Sequence, residues 1–145
     1  MKIETDFLME LIKKDNPVGN ICQELLNLWV NITEETKDIG EYYYKGEEIV
    51  KDFEEFILKS YWEFYDLLAK TCLNSKSVFE LHPEATILVM DGMSIRESTL
   101  LYKVLKNKGY NIRHDFSFSA VPSDTEFFRK KIKISMSKFS QVNKP

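Results

Sequence analysis

The chain has 145 residues, 43% of them hydrophobic, which is enough for one domain with a real core and argues against a disordered chain. No run of eighteen apolar residues occurs, and the opening Met1-Lys-Ile-Glu-Thr-Asp-Phe7 lacks the layout of a signal peptide, so no membrane span and a cytoplasmic location are expected. The net charge of −3 is unevenly spread: residues 1–80 hold 17 acidic and 9 basic side chains, residues 81–145 hold 6 and 11. This asymmetry suggests two mutually attracting units and does not indicate nucleic-acid binding.

Ile3, Phe7, Leu8, Leu11 and Ile12 follow helical spacing, and Asn16-Pro17 with Gly19 then breaks the segment. Ile21, Leu25, Leu28, Trp29 and Ile32 form a second helical stripe; Cys22 lies within it. Around Gly40–Gly46 the pattern lapses, which predicts a turn. Phe53, Phe56, Ile57, Ser60, Tyr61, Phe64, Leu67, Leu68 and Thr71 then recur at three or four and predict the strongest helix. Leu58, Trp62, Tyr65 and Ala69 give it a second apolar face, which suits a central bundle helix or one packed on another domain. A partner or ligand surface is the alternative. Cys22 and Cys72 lack CxxC spacing, so two buried thiols are expected, with a disulfide or a reactive thiol as alternatives.

Asn74 to Pro83 reads as a linker. Ile87-Leu-Val-Met90 is a short apolar run of the kind found in strands buried on both faces. Ser94 with Glu97 fits a capping box, and Leu100, Leu101, Val104 and Leu105 form the stripe of the helix it opens. Lys103, Lys106 and Lys108 suit the carboxyl end of that helix, and Gly109 suits its cap. Tyr110–His114 alternates weakly and predicts a second strand, in a right-handed parallel crossover. Ser123-Asp-Thr125 then caps a final helix starting near Glu126. The expected fold is therefore α/β: a helical half over 1–76, then a partial parallel βαβ unit over 77–145.

Two residues could carry chemistry. Asp91 would stand at a strand's carboxyl end, where open α/β sheets place ligands; otherwise Asp91-Gly92 serves turn geometry. Thr125 presents a hydroxyl at a second turn, and otherwise it belongs to a helix cap. A carboxylate and a hydroxyl at one sheet edge could together bind a metal and supply a nucleophile.

The stretch Ile87-Leu-Val-Met-Asp-Gly-Met-Ser-Ile-Arg-Glu97, followed by Ser117–Glu126 and Arg129-Lys-Lys131, resembles the opening of a PglZ domain of the alkaline phosphatase superfamily. The likeness covers about a third of the chain, roughly Thr86 to Lys131. It implies an alkaline-phosphatase-like α/β fold, with Asp91 as a ligand to a metal, usually zinc, and Thr125 as the nucleophile touching the same metal. A divalent metal lowers the pKa of such a hydroxyl and holds it in line with a phosphate ester. Arg129 and Lys130 could steady the oxoanion, or simply form a solvated basic helix end.

The family's remaining ligands are Asp and His residues on later strands, whereas no Asp or His follows Thr125 here. His82 reads as a linker residue and His114 as the end of a strand. Two oxygens cannot close a zinc site. The isolated chain is therefore expected to hold zinc weakly or not at all and to show negligible phosphatase activity. The resemblance implies the amino-terminal part of a metal-dependent phosphoesterase that takes a phosphate-ester substrate only when the domain is completed. The alternative is a non-catalytic protein-interaction module, in a signalling or phage-defence assembly of the kind PglZ domains serve. A plain structural domain is the third reading. Open sheet edges lead to the expectation of a homo-oligomer or a protein partner.

Overall fold

The computed structural model describes residues 13, 15–59, 61–90 and 92–133. The stripe expected over Ile3–Ile12 lies outside these residues, as does Asp91. Six helices are present: α1 Pro17–Glu35, α2 Ile39–Lys59, α3 Tyr61–Asn74, α4 Val78–Leu81, α5 Ile95–Asn107 and α6 Thr125–Ile132. The chain divides into two compact units, each built from two stretches. One holds the described residues of Met1–Tyr65 and Val89–Phe116, the other those of Asp66–Leu88 and Ser117–Pro145.

In the first unit, the break at Asn16-Pro17 is the start of α1. Proline at the first helical position loses only an N–H that would be unpaired there, and the Asn16 side chain accepts from the Gly19 N–H at 3.0 Å. The expected stripe is buried apart from the half-buried Leu25: Ile21 and Leu28 pack with Phe53, and Trp29 and Ile32 pack with Tyr42 and Val50 of α2. Ile95 and Leu100 of α5 join the second cluster. The Lys103 ammonium donates to the Thr33 carbonyl, and Lys106 pairs with Glu34 at 3.7 Å, so α5 is tied to the carboxyl end of α1.

The turn expected over 40–46 is absent, because α2 runs straight through it. Asp38 opens the helix by accepting from the Glu41 N–H at 2.9 Å, and Glu41 accepts from the Lys37 N–H at 3.0 Å. Gly46 belongs to the helix because the Trp29 ring lies against it, where a Cβ would overlap the ring. A glycine that looked like a breaker is the notch that lets α1 and α2 approach.

The βαβ unit is not formed: among the described residues there is no strand, and every regular element is a helix. Ile87–Met90 is irregular; Ile87 is half-buried, Leu88 is 83% and both Val89 and Met90 are 50% exposed. Tyr110–His114 is irregular too, although exposure alternates from Asn111 to Phe116 as it would along a strand. A strand exists only through a neighbour's backbone hydrogen bonds, and a two-face strand needs helices over it. Here α5, the expected crossover helix, packs Ile95 and Leu100 against the cluster of α1 and α2 instead, with Leu101 and Val104 exposed. The capping box and Gly109 cap of α5 do occur as expected, with Gly109 at φ 83°.

In the second unit, the linker expected over Asn74–Pro83 contains the one-turn helix α4. Ser77 and Glu80 form a reciprocal capping box, and His82 closes the turn by donating its N–H to the Val78 carbonyl. Lys131 on α6 donates to the carbonyls of Cys72, Phe118 and Ser119 and to the Ser75 hydroxyl, at 2.7–3.2 Å. That single ammonium joins the end of α3, the segment before α6, and α6 itself. Ile132 and Cys72 are buried beside it in the same unit. No described helix is long and apolar enough to cross a membrane.

Candidate functional site

The amino end of α5 carries a dense polar network. Ser94 caps the helix, and the Glu97 carboxylate returns to accept from the Ser94 N–H at 3.0 Å and from the Ser94 hydroxyl. Two side chains of α2 lock this box. The Tyr43 hydroxyl donates to Glu97 at 2.8 Å, and Glu47 pairs with Arg96, whose guanidinium lies 5.6 Å from the centre of the Tyr43 ring. These bonds from Ser94 and Tyr43 hold the Glu97 carboxyl down at about 2. The same bond to Glu97 pushes the Tyr43 phenol above its usual value. Next to it, Tyr42 donates to the Arg96 carbonyl at 2.9 Å, and burial raises its phenol to about 12. A carboxylate so fully occupied, accepting only from neighbouring groups of the fold, is a fastening and not an acid or base awaiting substrate.

One turn further along α5, Ser98 meets His114. The His114 Nε2 lies 3.3 Å from the Ser98 Oγ, and the imidazole stacks on Tyr102 with ring centres 5.0 Å apart and planes 14° from parallel. The pair resembles a serine–base dyad only in composition. The Ser98 Oγ also lies 2.9 Å from the Ile95 carbonyl, a second acceptor for its proton, and the imidazole tautomer sets which group donates in the Ser98–His114 contact. A hydroxyl shared with a helix carbonyl is not presented to the imidazole alone, as an activated nucleophile would be.

Of the two residues singled out by sequence, Asp91 lies outside the described residues. Its successor Gly92 turns the chain at φ 70°, and the capped helix α5 follows. Thr125 is exposed at the first position of α6; the cap is Asp124, which accepts from the Glu126 N–H at 2.7 Å. The Val121–Pro122 peptide just before it is cis. Among the described residues no group of three His, Cys, Asp or Glu side chains could hold a metal. Burial raises the Cys72 thiol, partly opposed by Lys131, which disfavours the reactive thiolate.

Tyr43, Glu47 and Lys131 escape a reading of the sequence because their partners stand far away in the chain, Glu97 being 54 residues beyond Tyr43. The Ser94-x-x-Glu97 and Ser77-x-x-Glu80 spacings were the available local signals. Comparison with protein-family models, curated proteins and solved structures finds no match.

Proposed function

We propose that the chain is a helical protein-interaction module, cytoplasmic, that docks on a partner through the segment Ile87–Met90. The observation that carries this is the exposed apolar run itself: Leu88, Val89 and Met90 are at least half exposed. Ala85–Met90 holds no charge, proline or glycine, the composition of a strand that pairs readily. Two such short strands from two copies would pair only marginally in water. The occupant is therefore a partner protein with a formed sheet, onto whose edge this run adds as one more strand.

The test uses the chain as bait in a lysate of its own host, then rebuilds the complex from purified components. Leu88→Lys and Val89→Lys should each weaken binding at least tenfold, and amides of 86–90 should gain protection from hydrogen exchange in the complex. A purified partner that protects other residues and ignores both substitutions removes the proposal. Concentration-dependent self-association that protects 86–90 would make the occupant a second copy.

A second reading keeps the resemblance to PglZ domains. In it Asp91 is a metal ligand and Thr125 the nucleophile of a phosphoesterase centre whose further ligands come from another chain. What supports it is the order of the motifs in the sequence, Asp91-Gly92 and then Pro122-Ser-Asp-Thr125. Zinc analysis and a phosphodiester assay, on the chain alone and with its purified partner, test it. Turnover that needs the partner and disappears in both Asp91→Asn and Thr125→Ala is the result expected. Turnover unaffected by these changes ends this reading.

A further inference from the structure

We propose that His114 is an acid-sensitive clasp: protonation of its ring releases the segment Tyr110–Phe116 from α5 inside the first unit. The segment returns along α5 after the Gly109 cap, and its side chains alternate between half-buried Ile112, His114 and Phe116 and exposed Asn111, Arg113 and Asp115. Within it, the Tyr110 N–H donates to the Leu105 carbonyl, and the His114 side chain contacts Ser98 and Tyr102 of α5. Ser98 also bonds the Ile95 carbonyl, and we take the neutral ring as the Nε2–H tautomer, with Nδ1 the bare acceptor. That Nδ1 is buried and has no hydrogen-bond partner among the described residues.

A bare buried acceptor is tolerable; a cation with a second N–H at the same place is far less so, since nothing accepts that hydrogen. The charged groups nearby do not reverse this. Asp115, next in the chain, favours the imidazolium, but its carboxylate already holds the Arg113 guanidinium at 2.6 Å and the Phe116 N–H at 2.9 Å. On the α5 side, Tyr102 offers a ring face, and Lys106 adds a positive charge 5.5 Å from that ring's centre. Burial outweighs Asp115 and holds the imidazole below its usual value of 6.5.

The sign follows from linkage. The released histidine binds protons more tightly than the clasped one. The clasp is therefore at full strength above pH 6.5 and weakens as pH falls below it, by up to about tenfold in the opening equilibrium per pH unit. The decrease stops at the lower pKa of the clasped ring.

NMR on the wild-type chain tests this directly. Above pH 7.5 the His114 ring should be the Nε2–H tautomer and show cross-peaks to the Tyr102 ring. Those cross-peaks should fade below pH 6.5, together with shifts of Ile112 and Phe116. His114→Phe keeps a flat ring on Tyr102 but cannot take a proton, so Ile112 and Phe116 should stay unchanged from pH 8 to 5. A titration midpoint at or above 6.5, an Nδ1–H tautomer, or ring cross-peaks that survive protonation would overturn the proposal. So would the same pH response in the phenylalanine variant.

Discussion

Two apolar stretches of similar character meet opposite fates. The stripe Ile21, Leu28, Trp29 and Ile32 of α1 is almost wholly buried, whereas Leu88, Val89 and Met90 face outward. Hydrophobicity does not separate them; what separates them is whether a complementary surface exists within the chain. The α1 stripe has α2 and α5 to cover it, with Gly46 cut to receive Trp29. The Ile87–Met90 run has no strand beside it among the described residues. Burial is a relation between surfaces, and a sequence displays only one side of it at a time.

The largest effect should come from Trp29→Ala, which empties the notch at Gly46 and should cost about 3–5 kcal/mol. Urea unfolding would show a lower midpoint with an unchanged slope. Gly46→Ala is a sharper probe because two effects compete. Helix propensity favours alanine by about 1 kcal/mol, while overlap with the Trp29 ring should cost about 1–3 kcal/mol or more. Net destabilisation is expected, and a gain in stability would mean that Trp29 does not fill the notch.

Ser94→Ala removes the cap of α5 and should cost about 1 kcal/mol. Glu97 adds a pH dependence to the same point. Its carboxyl is lowered from 4.5 to about 2 in the fold, so its contribution is complete above pH 4.5 and is lost as pH falls through about 2. Glu97→Gln should flatten that part of the acid unfolding curve, as followed by circular dichroism. Smallest of all, Val89→Lys should change the stability of the isolated chain by no more than about 0.5 kcal/mol, as expected for an outward-facing residue. A large loss would place Val89 in a core and abolish the contrast with α1.

Helices α1 and α5 were legible because their cues are local, whereas the single helix expected over Phe53–Thr71 is two, α2 ending at Lys59 and α3 starting at Tyr61. Apolar spacing of three or four announced α1, and Ser94 with Glu97 and Gly109 announced both ends of α5. The errors arose where one local pattern serves two structures. Glycines at 40 and 46 mark a turn or a close helix approach, and only Trp29 decides between them. The run Ile87–Met90 is a strand only if other strands and helices are present, and alternation over Asn111–Phe116 arises equally from lying against a helix. For the candidate site, the turn at Gly92 and the helix starting at Thr125 were readable, but the links of Tyr43 to Glu97 and of His114 to Ser98 were not. Each joins groups whose distance along the chain carries no periodicity.

The placement of the two tryptophans gives the molecule its own optical contrast. Trp29 is 2% exposed against Gly46, and Trp62, on α3, is 77% exposed. An aqueous quencher should extinguish the red-edge emission of Trp62 and spare the bluer emission of Trp29. With either tryptophan replaced by phenylalanine, the remaining signal reports on one place alone: the seam between α1 and α2, or the outer surface of α3. Loosening of the core and coverage of that surface by a partner can then be followed as separate colours in one unlabelled sample.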